Sequence, residues 1–162
     1  VDRRELDLLR WVIHEPELVA DWLDESLLLD PVALQAYRLL VSTHAFHEAL
    51  AGADEPTREL LERLGVEEPL VDDEPDTLRA RLLVHTVAPV ADRLLARFFR
   101  DEDDRQTALK LDIDALRHAR ELGEWDDAQD AAKRLLGWII DAERASTVGV
   151  AVAGAAASGH EG

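Results

Sequence analysis

Between Thr77 and Phe99 the apolar residues Leu78, Leu82, Leu83, Val87, Val90, Leu94, Leu95, Phe98 and Phe99 recur at steps built from three and four. That period is the 3.6-residue turn of an α-helix. It predicts one long helix over 77–99, kinked or interrupted at Pro89, whose ring supplies no N–H to the ladder. The rest of the chain shares the vocabulary. It is rich in Ala, Leu, Glu, Asp and Arg, with only 8 Gly and 6 Pro in 162 residues, which favours helix. The expected fold class is all-α.

Upstream, Leu6, Leu9, Val12 and Ile13 predict a helix over 3–14, ended by Pro16, because proline disfavours helix at the residue before it. Pro16 opens a short turn through Leu18, Val19, Trp22 and Leu23, and Asp30-Pro31 reads as an N-cap followed by proline at the first helical position. Thr43 is the expected cap of a short helix with Phe46 and Leu50, and Asp54-Glu55-Pro56 opens another that Gly65 stops. Residues 66–76 hold two prolines and six acids with no usable period, and read as a connector. The run 100–105 carries no apolar residue and is expected to leave the body as a solvated stem or hinge. Two helices over about 105–121 and 127–145 follow, with Gly123 at a C′ position and Asp126 as N-cap, an αα-hairpin. The expected organisation is an N-terminal helical bundle over 1–100, joined by the long helix to a C-terminal hairpin over 101–146, with a flexible tail over 147–162.

Charge removes several functions. Thirty-five acids against 18 basic residues give a net charge of −17, which repels phosphate and forfeits the counterion release that drives nucleic-acid binding. No direct contact with DNA or RNA is expected. The absence of cysteine removes thiol catalysis, thiolate zinc sites and any argument for an oxidising compartment. Apolar runs are short and broken by charge, so neither a membrane span nor a secretory leader is expected. The chain, which begins at Val1, is expected to be a cytoplasmic piece of a longer protein and to be monomeric in isolation.

The hairpin helices carry more apolar surface than one mutual seam needs. On the second, Ala128, Ala131, Leu135, Ile139 and Ala142 form the stripe suited to the partner helix, while Leu136 and Ile140 lie about 100° away from it. On the first, Leu109, Ile113 and Leu116 form one stripe and Leu111, Ala115, His118 and Leu122 another on the opposite side. A two-sided apolar helix must be buried twice. Either the hairpin folds back on the first hundred residues, or its second face is a docking surface for another protein; the uncovered charge at 100–105 favours docking. The candidate partner-binding residues are Leu111, Ala115, Leu122, Leu136 and Ile140, with Trp125 at the tip.

No catalytic, cofactor or metal residue is expected. His44-x-x-His47 sets two imidazoles one turn apart, which would hold a metal only with a third ligand from elsewhere; surface or capping histidines are the alternative. The clusters Glu67-Glu68 and Asp72-Asp73-Glu74 lack the glycine and alternation of a calcium loop. There is no Gly-rich phosphate loop and no nucleophile elbow around Ser26, Ser42, Ser146 or Ser158.

The segment Leu8-Leu9-Arg10-Trp11-Val12-Ile13-His14-Glu15-Pro16-Glu17-Leu18 resembles the opening of the C-terminal, helicase-binding domain of bacterial DNA primase (DnaG). Asp30-Pro31 through Tyr37-Arg38-Leu39-Leu40, then Leu60-Leu61-Glu62-Arg63-Leu64, then 105–145 are similar to its later elements, so the resemblance covers about residues 5–145. It implies a helical bundle joined through a long helix to a hairpin that docks on the collar of the hexameric replicative helicase, coupling primer synthesis to unwinding at the fork. It implies no catalysis by this stretch, since the zinc-binding and polymerase domains of such a primase lie upstream. The helicase's own N-terminal collar domain, an oligomerisation module, shares that fold and is one alternative; a stand-alone helical metal protein built on His44 and His47 is another.

Overall fold

The computed structural model describes residues 1–97 and 104–159, with side chains through residue 146. Among the described residues there is no strand, and seven α-helices carry the chain: α1 Arg3–His14, α2 Pro31–Ser42, α3 Phe46–Gly52, α4 Glu55–Gly65, α5 Pro75–Arg97, α6 Asp104–Glu121 and α7 Trp125–Gly159. Two 3-10 turns, Pro16–Leu18 and Glu25–Leu27, lead from α1 to α2. The protein is all-α, as the periodicity indicated.

Local chemistry sets most boundaries. Asp2, Asp30 and Asp54 each turn a carboxylate onto backbone amides at a helix start, the Asp30 oxygen accepting from Val32 and Ala33 at 2.8 and 3.2 Å. Such caps satisfy donors that have no partner within the helix. The α6–α7 turn is a Schellman motif. Gly123 sits at φ +69°, where only glycine is unstrained, the Glu124 amide donates to the Ala119 carbonyl and the Gly123 amide to that of Arg120.

Two cap assignments are corrected, and two other local readings are refined. Thr43 does not cap α3: its hydroxyl donates back to the Leu39 carbonyl at 2.8 Å, and Ala45 holds the cap position without a side-chain bond. Asp126 lies in the first turn of α7, which begins one residue earlier, at Trp125. Pro89 does not interrupt α5, which runs unbroken from Pro75; the ring leaves the His85 carbonyl without its usual helical donor. Gly65 is the last residue of α4, so the helix stops there as expected, but its φ is not positive. Its value is room: a Cβ there would lie 2.8 Å from the Phe46 ring, so α3 packs against the end of α4 only because the side chain is missing.

One buried cluster runs through the molecule, from Leu8, Leu9 and Leu61 in the N-terminal helices through Leu83 and Val87 of α5 to Leu109, Leu135 and Ile139. Helix α7 packs along α5 as well as along α6. The hairpin therefore packs back on the first hundred residues through α7, the alternative that the charge at 100–105 had disfavoured. Of the expected hinge at 100–105, residues 100–103 lie outside the described residues, as do Phe98 and Phe99 and the expected boundary at residue 100. The expected loose tail from 147 is helical as far as Gly159, where five alanines between 151 and 157 offset two interior glycines in propensity.

Candidate docking face of the hairpin

The hairpin is stapled at three levels. Within it, Leu109, Ile113, Leu116 and Ala119 of α6 are buried, as are Ala128, Ala131, Ala132, Leu135, Leu136 and Ile139 of α7. Across the seam, Asp112 accepts from Trp138 Nε1 at 3.0 Å through one oxygen and from Arg134 Nε at 3.1 Å through the other. Toward α5, Arg117 donates to Asp92 at 3.0 Å, and Arg120 donates to His85 Nδ1 at 2.8 Å. An Nδ1 that accepts from a guanidinium is the unprotonated nitrogen of a neutral ring. Trp125, half-buried, packs against the core and lies with its ring 6.4 Å from that of His85, centre to centre.

Burial and the nearby Arg120 and Arg81 charges hold His85 below the usual histidine range. The unfolded chain therefore takes up this proton before the folded one does. The contribution of His85 to stability is complete above the ordinary histidine value and is lost as pH falls below it, toward the lower folded value. We expect the drop in melting temperature from about pH 7.5 to about pH 5.5 to be larger for the native chain than for His85→Gln, which keeps an acceptor but does not titrate. Equal drops in thermal melts of the two proteins would show that this contact does not respond to protonation.

The six candidate residues separate cleanly. Leu111 and Leu122 are 65% and 56% exposed, and Ala115 is exposed between them. Leu111, Ala115 and His118 fall within about 60° of one another on α6, opposite its buried stripe, and Leu122 follows one residue past the helix end. Among the described residues no element covers this side of α6, and one of its edges carries Asp114 and Glu121 with Lys110 beyond them, all exposed. Leu136 does not belong to an outward face: at 8% exposure it is part of the core, and its assignment to a docking surface is corrected. The reason is the second neighbour. The seam had been drawn against α6 alone, but α7 is covered by α5 too, so its buried arc spans about 140°, wide enough to include Leu136. Ile140 is half-buried at the edge of that arc, where it lines a groove of about 730 Å³ with Leu28, Leu29, Leu34 and Arg38. Trp125 serves the α5 contact at the tip.

No family model matches the chain, and neither a curated protein nor a solved structure does.

His44 and His47 are both exposed, and among the described residues no three His, Cys, Asp or Glu side chains converge on a metal position. No described helix is long and apolar enough to cross a membrane. Periodicity missed Asp112, which positions two α7 side chains at once. The signal was partial, since Arg134 and Trp138 stand four residues apart on one face of α7.

Proposed function

We propose that this chain is a non-catalytic docking domain of the primase C-terminal type, which binds a hexameric replicative helicase and thereby couples primer synthesis to unwinding. The observation that carries the reading is the outward stripe of Leu111, Ala115 and Leu122 on α6, exposed although the opposite stripe of the same helix is fully used. Exposed apolar side chains aligned on one rigid helix, rimmed by charge, are the form protein interfaces take. The ordered resemblance over residues 5–145 supplies the partner, and the net charge of −17 argues for a protein over a nucleic acid.

The test is titration of the purified chain against the helicase hexamer. Binding energy concentrates in a few apolar anchors, so the double variant Leu111→Asp/Leu122→Asp is expected to bind at least about tenfold more weakly, about 1.4 kcal/mol, with unchanged helicity and melting. Absence of binding by the native chain would reject the partner. Native-like binding by the double variant would reject the α6 face.

A further inference from the structure

Among the described residues the two most exposed large hydrophobic side chains are not on the hairpin. They are Val66 and Leu70, at 83% and 77%, joined by Val71 at 53%, all within the connector between α4 and α5. A connector that only spans a gap gains nothing from branched apolar residues in water, where each forgoes roughly 1.5–3 kcal/mol of burial.

The connector is also held in place. At its start Glu67 accepts from Arg10 Nε at 2.8 Å and from Arg63 Nε at 3.1 Å; at its end Asp73 accepts from Arg81 at 3.3 Å. Between these anchors Pro69 limits the backbone, and Glu68, Leu70 and Val71 face solvent. A short apolar segment fixed at both ends loses little entropy on binding.

Its charge states the chemistry of the partner. Residues 66–76 contain six acids and no basic residue, and Glu68 and Glu74 are exposed with no salt bridge among the described residues. Phosphate backbones and anionic lipid surfaces are repelled. A basic protein surface with an apolar recess is attracted. The α6 stripe carries Asp114 and Glu121 along one edge with Lys110 beyond them, so the connector is the more acidic of the two surfaces.

We infer that the connector is a second docking element, which rests on the helicase reading above: Leu70 and Val71 enter an apolar recess on the same helicase, and Glu68 and Glu74 meet its basic rim. Two tethered contacts strengthen binding well beyond either alone.

The experiment uses the full chain and the helicase hexamer, comparing native protein with Leu70→Ser/Val71→Ser, Glu68→Gln/Glu74→Gln and Leu111→Asp/Leu122→Asp at several salt concentrations. The serine pair is expected to weaken binding at least about tenfold without moving the melting temperature, and the glutamine pair to flatten the salt dependence. If the serine pair binds like the native chain while the α6 pair is weakened, the connector inference falls and the helicase reading stands. If the native chain does not bind the hexamer, both fall. If the serine pair weakens binding and the α6 pair does not, the connector stands as the docking element and the α6 face is rejected.

Discussion

Leu136→Asp is expected to destabilise the protein by at least about 3 kcal/mol and to lower its melting temperature by roughly 10 °C. Two costs add. Removing a leucine packed to 8% exposure empties volume that close-packed neighbours refill only in part, worth about 2–5 kcal/mol in cores. The carboxylate then placed there has lost water without gaining a partner. Leu136→Met, which conserves volume, should cost less than about 1.5 kcal/mol. The contrast with Leu111→Asp and Leu122→Asp makes the experiment decisive, because the same substitution on the same hairpin is expected to leave melting untouched where the side chain is 65% or 56% exposed. Circular dichroism melts of the three aspartate variants measure it. A Leu136→Asp protein that melts like the native one would mean that Leu136 is not packed in the core in solution.

The second large effect is expected at Glu5. This acid in the first turn of α1 is 2% exposed, and one of its oxygens accepts from the Leu29 and Asp30 amides at 2.5 and 3.0 Å. It thereby ties α1 to the chain entering α2. Hydrogen bonds to a charged acceptor contribute roughly 1.5–3 kcal/mol each, against which the desolvation of the carboxylate is set. Glu5→Ala should therefore cost about 2 kcal/mol net, seen as a lower urea midpoint with an unchanged slope. Glu5→Gln keeps a carbonyl oxygen for the same amides and should recover part of the loss. If alanine and glutamine variants unfold at the native midpoint, the two amides are served by water and Glu5 holds nothing together.

Helix starts and turns were legible because their causes are local. Asp30 before Pro31, Asp54 before Pro56 and Gly123 between two helical stretches act on amides and carbonyls within a few residues. The same local reading went wrong at Thr43 and Asp126, where a capping residue stood near a helix start but another geometry satisfied the backbone. It placed the end of α4 at Gly65 but not the room that glycine leaves for the Phe46 ring, 19 positions away in sequence.

For the hairpin, the sequence by itself determined that α6 and α7 each carry more apolar surface than their mutual seam consumes, because helical period follows from residue order. It could not determine which surplus stays exposed. Leu111 and Leu136 are chemically the same side chain, each off the expected seam; Leu136 is buried at 8% exposure in a helix that packs on both α5 and α6, while Leu111 is 65% exposed. Likewise the acid at position 5 is visible as a first-turn residue, but its hold on amides 24 and 25 positions away is not. Period and capping are properties of a few neighbouring residues. Burial depends on what lies across space, and only the tertiary structure decides that.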